Sequence, residues 1–224
     1  HSLSTVSIGG FSTHDESIGY FNSISIEVIC MVFMLLSALS YALHYFAVYK
    51  KKPLKYFHDS ELRFFVSILS VVISLSLLLS IIVGFDGGSF REILFQSVSI
   101  VTTTGFVSTD YSSWPTSITF LLLIGAFIGA CSGSVGGGIK SWRVLIMINH
   151  AKINIMRLVH PNAVVSLKIG SKAVDDKVAE SVWGFFSIYV ICFMLLLLSL
   201  LATGMDFESS FSALGACLNN LGPG

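Results

Sequence analysis

Val101-Thr102-Thr103-Thr104-Gly105-Phe106-Val107-Ser108-Thr109-Asp110 is a polar, glycine-bearing stretch set between hydrophobic segments long enough to cross a membrane. A variant stands near the start as Val6-Ser7-Ile8-Gly9-Gly10-Phe11-Ser12-Thr13-His14-Asp15, and a more distant one closes the chain as Leu218-Asn219-Asn220-Leu221-Gly222-Pro223-Gly224. Aligning Gly10-Phe11 with Gly105-Phe106 also places Asp15 on Asp110. We read these stretches as re-entrant loops of an ion filter that the rest of the chain positions. A filter for a bare cation needs oxygens that replace its water shell, and backbone carbonyls and threonine hydroxyls supply them. Aiming successive carbonyls into one lumen requires unusual dihedrals, hence a glycine at the end of each loop. Thr102, Thr103, Thr104 and Gly105 fit that chemistry. An ordinary extracellular turn would explain neither the repetition nor the short helix expected before each loop.

Composition agrees. The chain has 224 residues, 54% hydrophobic and 12% charged, with a mean hydropathy of +0.81. Soluble domains carry about 25% charged residues, so a membrane protein is the expectation. The formal net charge is zero, which gives no basic footprint for nucleic acid. Cys30, Cys131, Cys192 and Cys217 form no C-x-x-C pair, and the first, second and third lie in apolar stretches, which reads as free buried thiols. The six histidines are scattered without metal-ligand spacing and read as interfacial residues. No N-terminal Met or signal-cleavage pattern opens the chain, which starts just before one filter-like loop and stops inside another. The expectation is a piece of a longer polypeptide.

Taken in order, residues 24–49 read as a first span carrying one charge, Glu27, which faces the outer interface. The basic stop Lys50-Lys51-Lys52-Pro53 ends it. Residues 62–83 are a second span, closed by Gly84 and Gly87-Gly88. Residues 90–101 are too short to cross, with Ser89 and Glu92 spaced as a capping box, which fits a pore helix feeding a filter. Trp114 anchors at the interface and Pro115 opens a helix. The apolar run 118–130 then breaks into Cys131-Ser132-Gly133-Ser134-Val135-Gly136-Gly137-Gly138-Ile139-Lys140, and helix resumes over 142–159. After a turn at His160-Pro161-Asn162 and a short strand-like segment over 164–169, residues 182–203 form the next span. Asp206 caps a second short helix over 207–218. The architecture is an all-α membrane protein of repeated units: long helix, pore helix with filter loop, long helix. The end of one unit occupies 1–60, a complete unit 61–160, and the start of another 161–224.

Twelve of the thirteen basic residues fall in two segments, 50–63 and 140–177, and Arg91 is the thirteenth. The positive-inside rule puts both segments in the cytoplasm and all three filter loops outside. Asp15, Glu16, Asp86, Glu92, Asp110, Asp206 and Glu208 then surround the mouth, where acidic groups would concentrate cations; helix capping and loop solvation are their alternative roles.

The glycine run resembles a phosphate loop only superficially. Gly133 and Gly138 are correctly spaced, but Ile139 stands where G-x-x-x-x-G-K-[ST] needs lysine, and Lys140 falls one place late. No nucleophile elbow fits Ser132 or Ser134. A glycine-interrupted membrane helix points to a transport site. Gly133, Ser134, Gly136, Gly137, Gly138 and Lys140 therefore read either as a gate or as a packing kink. Lys140 needs water or a partner at that depth. No nucleophile–base or metal pattern survives, so no enzyme is expected.

With these motifs assembled, the chain resembles the Trk/Ktr/HKT superfamily of potassium transporters, and within it the Trk-type membrane subunit. Ser4-Thr5-Val6-Ser7-Ile8-Gly9-Gly10-Phe11-Ser12-Thr13, Thr102-Thr103-Thr104-Gly105-Phe106, the glycine run, His160-Pro161-Asn162-Ala163 and Leu218-Asn219-Asn220-Leu221-Gly222-Pro223 carry the resemblance. It implies four linked pore units around one pore, of which this chain holds the second filter onward. It implies that Ser7, Ile8, Gly9 and Gly10, Thr102 to Gly105, and Asn219, Asn220, Leu221 and Gly222 hold potassium. The glycine run becomes an intramembrane loop beneath the filter that restricts flow. Some relatives favour sodium when serine replaces the first loop's glycine; Gly10, Gly105 and Gly222 are glycine here. The resemblance further implies a bacterial inner-membrane protein in contact with lipid, a homodimer, and a cytosolic TrkA-like regulatory subunit that binds the nucleotide, NAD or ATP. No cofactor is expected on this chain itself. Passive flow and symport with protons or sodium both stay open. A non-conducting scaffold or regulatory subunit that keeps the pore fold is the alternative function.

Overall fold

The computed structural model describes residues 1–51, 54–85, 88–160, 166–170 and 172–222. Lys52-Pro53 of the basic stop, Asp86 and Gly87, Pro161, Asn162, Ala163, Val164 and Val165, Ser171, and Pro223-Gly224 lie outside the described residues.

The order is α1 (Ser2–Val6), α2 (Ile24–Ala38), α3 (Tyr41–Val48), α4 (Lys55–His58), α5 (Ser60–Val83), α6 (Phe90–Val101), α7 (Thr116–Ile128), α8 (Ser141–Val159), a hairpin of β1 (Lys168–Ile169) and β2 (Lys172–Ala173), then α9 (Asp176–Ala202) and α10 (Phe207–Leu218). Among the described residues, α5 and α9 are each long and apolar enough to cross a membrane.

Helix ends follow local chemistry. Asp59 caps α5 by accepting from the Leu62 amide at 2.9 Å. Gly84 ends that helix at φ 68°, with its own and the Phe85 amide returning to Ile81 and Ser80. The Ser89–Glu92 capping box is complete, its two hydrogen bonds measuring 3.4 and 2.8 Å. Asp206 caps α10 through the Ser209 amide at 2.9 Å, and that bond holds its carboxyl below the ordinary carboxylate range.

Helix α6 is the centre of the main core. It packs on α2, α5 and α7, and Ile93 and every residue from Phe95 to Val101 are buried. A second, smaller core joins Ile146 and Ile153 of α8 to Leu167, Ile169, Ala179 and Val182.

Four expectations need correction. Residues 24–49 are not one continuous helix: α2 and α3 together are long and apolar enough to cross a membrane but meet at 98°. Leu39 and Ser40 are extended, and the backbone groups freed at the break pair with the glycine run. The Cys131 amide donates to Ala38 O, and the Tyr41 amide to Gly133 O, both at 3.0 Å. His44 clasps the corner, with one ring nitrogen 2.7 Å from the Tyr56 hydroxyl and the other 2.8 Å from Leu36 O. Trp114 is not an interfacial anchor. It is 5% exposed and leans on Phe85, because the chain folds back there over the foot of α6. Helix α9 starts at Asp176 rather than 182, because Asp175 caps it and Ala179 and Val182 have the α8 core to cover. Cys30 and Cys131 are buried free thiols, but Cys192 and Cys217 are exposed, because no described element covers those faces of α9 and α10.

Candidate ion filter and glycine loop

Three short helices, α1, α6 and α10, run into the same turn. The residue after each helix keeps a negative φ: Ser7 at −82°, Thr102 at −75°, Asn219 at −92°. The next is left-handed: Ile8 at 51°, Thr103 at 61°, Asn220 at 54°. Two residues on, glycine is left-handed: Gly10 at 65°, Gly105 at 81°, Gly222 at 95°.

The hydrogen bonds repeat in the same register. The amides of Ser7, Thr102 and Asn219 donate four residues back, to Leu3, Val98 and Gly215, at 3.0, 3.0 and 3.2 Å. Those of Ile8, Thr103 and Asn220 donate three back, at 3.2, 3.0 and 3.2 Å. Those of Gly9, Thr104 and Leu221 donate five back, at 2.9, 2.8 and 2.8 Å. A left-handed β-branched residue is a strained outlier, and such strain is retained where the surroundings impose it, often at functional sites. Here it is imposed at both Ile8 and Thr103.

The turn at Thr102 is dry and braced from behind. Thr102, Thr103 and Thr104 are fully buried. The Thr102 hydroxyl lies 2.8 Å from Val98 O and 2.8 Å from the Thr104 hydroxyl. Ser99 donates to Phe106 O at 2.7 Å, and the Gln96 amide to Thr109 O at 3.1 Å, tying the outgoing strand to α6. Among the described residues, the carbonyl oxygens of Thr102, Thr103 and Thr104 accept no hydrogen bond. Neither do those of Ser7, Ile8 and Gly9, or of Asn219, Asn220 and Leu221. Buried carbonyls are otherwise paired almost without exception, so those of the buried Ile8, Thr102, Thr103, Thr104, Asn219 and Leu221 are available to a ligand, while Ser7 and Asn220 lie at exposed positions.

The structure brings the first two turns together. A Cβ on Gly10 would overlap the Thr104 carbonyl, so glycine is required there. Beyond the turns, the Ile18 and Gly19 amides donate to Val107 O at 3.1 and 3.2 Å, and the Val107 amide to Ser17 Oγ at 3.2 Å.

The glycine run leaves α7 at Gly129 and returns to α8 across a pinched base. The Ile139 amide donates to Phe127 O at 2.9 Å, and Ser141 donates its amide to Ala130 O at 3.1 Å and its hydroxyl to Gly129 O at 3.0 Å. Its two halves have different neighbours. Gly133 faces the α2–α3 corner, and Ser132 donates its amide to the Glu61 carboxylate. The second half reaches the turns: the Gly137 amide donates to Thr103 Oγ1 at 2.6 Å. A Cβ on Gly136 would stand 2.9 Å from Thr102 O, and one on Gly137 would overlap the Asn219 carbonyl. Lys140 satisfies its ammonium within the loop, on Gly136 O and, at 3.4 Å, Ser134 O. Among the described residues, Gly133 and Ser134 therefore make no hydrogen bond to the turns, whereas Gly137 does and Gly136 packs against Thr102 O.

Sequence reasoning missed one charged pair. Glu27 does not face the outer interface: it is 2% exposed, with Arg91 Nε at 3.2 Å from its carboxylate. The approach is coulombic and not aligned as a hydrogen bond. The signal was present: Glu27 was the one acid of its span and Arg91 the one base outside the basic segments, and lone opposite charges at membrane depth pair. Replacing Glu27 by Ala strands Arg91, which is about one-third exposed, so we expect about 2 kcal/mol of destabilisation. The paired change Glu27→Leu/Arg91→Leu should recover most of it, as thermal unfolding of the purified full-length protein would measure. No recovery in the paired variant, or no loss in Glu27→Ala, would mean that the pair does not hold α2 to α6.

Long apolar helices alternating with short helices that end in glycine-closed turns define a mostly helical membrane protein in which this helix-and-turn motif repeats. Comparison with known proteins agrees. The family model for TrkH, a cation transport protein, matches residues 1–224, and the chain belongs to this family of transporters, not of enzymes. It is 48% identical over 226 residues to the Trk system potassium uptake protein TrkH of Halomonas elongata and 43% identical over 228 residues to that of Escherichia coli K12. Those alignments take in 100% of this chain and 47% of each relative, so the chain spans about half the length of the curated relatives it matches. The crystal structure of the potassium transporter TrkH from Vibrio parahaemolyticus superposes with a TM-score of 0.93 at 45% identity, covering 100% of this chain and 49% of that one.

Proposed function

We propose that the chain supplies three walls of a potassium-selective filter and that the full-length protein carries potassium into the bacterial cell across the inner membrane. The repeated turn carries the reading: three backbones of different sequence share one pattern, a left-handed residue followed two positions on by a left-handed glycine, with carbonyls left unpaired. Carbonyl oxygens in rings replace the hydration shell of a bare cation. Ser7, Ile8, Gly9 and Gly10, Thr102 to Gly105, and Asn219 to Gly222 are the wall residues, in pore units at 1–60, 61–160 and 161–224. The loops open outward, because the basic residues gather in the segments on the other side.

The glycine run is the gate. Its second half lies directly against Thr102, Thr103 and Asn219, held by the Gly137–Thr103 bond and by Lys140. Glycine without side chains lets this segment seat there and withdraw without dragging bulk through the pore. The relatives carry the name of a system, and the basic cytoplasmic segments are where we place a nucleotide-binding, TrkA-like regulatory partner on a homodimeric, lipid-embedded transporter.

The test is complementation of a strain deficient in potassium uptake by the full-length protein, followed by flux in liposomes with potassium, sodium and pH gradients varied separately. Growth in low potassium supports conduction. Failure to grow despite normal membrane expression would make the protein a scaffold that keeps the pore fold.

A further inference from the structure

The first residue of each turn has a side chain that bonds back to its own helix. Ser7 donates to Ser4 O at 3.3 Å, and Thr102 to Val98 O at 2.8 Å. A hydroxyl placed there needs no help from elsewhere. Asn219 differs. It is fully buried, and its Nδ2 donates to Gly215 O at 2.7 Å, four residues back, as Thr102 does to Val98. Its Oδ1 is then left over, and an acceptor cannot be satisfied by the carbonyl end of a helix.

The missing donor comes from another element. Tyr189, in the middle of the α9 span, donates its hydroxyl to Asn219 Oδ1 at 3.0 Å. A phenol in an apolar span itself needs such a partner. Two aromatic rings stand beside it: Phe127 perpendicular at 6.5 Å and Phe185 tilted at 6.2 Å. The main-chain carbonyl of Asn219 meanwhile abuts Gly137. Asn219 is therefore held from its own helix, from α9 and from the glycine loop, whereas Ser7 and Thr102 are capped from their own helices.

We infer that Tyr189 is a positioning residue of the filter: it fixes the Asn219 side chain and so the turn at Asn219-Asn220, and selectivity depends on it. The inference rests on reading that turn as a filter wall. In Tyr189→Phe the shape is kept and one buried amide oxygen loses its donor. Asn219 must then rotate or admit water, and the carbonyls that follow lose their fixed directions.

The experiment is a double-mutant cycle in the full-length protein, reading the potassium-to-sodium flux ratio in liposomes. Tyr189→Phe should lower that ratio about tenfold, ~1.4 kcal/mol, with potassium flux retained. On an Asn219→Thr background, where a hydroxyl is satisfied at Gly215 O, adding Tyr189→Phe should change the ratio by less than about twofold, whatever Asn219→Thr does alone. A merely structural tyrosine would lower protein yield and both fluxes together and leave the ratio alone. An unchanged ratio in Tyr189→Phe, or an equal loss on both backgrounds, overturns the inference while leaving the filter reading intact. A parent protein that does not discriminate between the ions overturns both.

Discussion

Gly105→Val in the full-length protein is expected to reduce potassium uptake by at least about a hundredfold while leaving the amount of protein in the membrane nearly unchanged. Gly105 sits at φ 81°, where a side chain is strained and a β-branched one most of all. Valine would relax that strain by turning the backbone, and the carbonyls before it would turn as well. A filter works through the summed field of several aligned oxygens, so misdirecting one wall is felt at every site it contributes to. A hundredfold loss corresponds to ~2.7 kcal/mol, a modest demand for such a change.

Gly84 provides the control. It also has a left-handed backbone, at φ 68°, and a Cβ there meets nothing within 4 Å. Gly84→Val carries the same local strain at the end of α5, away from the turns. It should cost about 1–2 kcal/mol of stability, read by thermal unfolding, with uptake per molecule unchanged. Equal uptake in Gly105→Val and the parent, at equal expression, would sink the filter reading. Equal losses in both variants would reduce the Gly105 effect to general backbone strain.

The same comparison explains what could be read from the sequence. The turns were legible because glycine and short capped helices are local features: Ser89 and Glu92 mark the start of α6, and Gly105 marks the end of what it feeds. The left-handed Ile8 and Thr103 were not legible, since β-branched residues avoid that region and only the surrounding fold imposes it. The α2–α3 corner carries no glycine or proline; its cause lies about ninety residues away, in the amides and carbonyls of the glycine run. Tyr189 and Glu61 were invisible for the same reason. Each acts on a residue of a different element, Asn219 and Ser132, and the sequence pattern of α9 or α5 gives no sign of it. Local chemistry was readable; the cross-element pairing of neutral polar and backbone groups, which fixes the site, was not, whereas the lone charges Glu27 and Arg91 did leave a signal.

Gly137→Ala is expected to raise basal potassium flux about tenfold, because the added methyl cannot coexist with the seated loop. A Cβ at that position overlaps the Asn219 carbonyl, and backbone stands on both sides, so no side chain can swing away to make room. The loop must withdraw, and the Gly137–Thr103 bond breaks with it. A tenfold change needs only ~1.4 kcal/mol of bias between seated and withdrawn positions. Thr103→Val separates lost anchoring from added bulk. It keeps the β-branched shape but removes the oxygen that accepts from Gly137, a bond worth about 1 kcal/mol, so basal flux should rise about fivefold. Thr103→Ser retains the oxygen and should rise less than Thr103→Val. Flux measured without any regulatory partner or nucleotide reads the loop itself. If neither Gly137→Ala nor Thr103→Val changes it, the glycine run is a packing kink and gating lies elsewhere. If Gly137→Ala abolishes flux while Thr103→Val leaves it at the parent level, the loop braces Asn219 and does not occlude the pore.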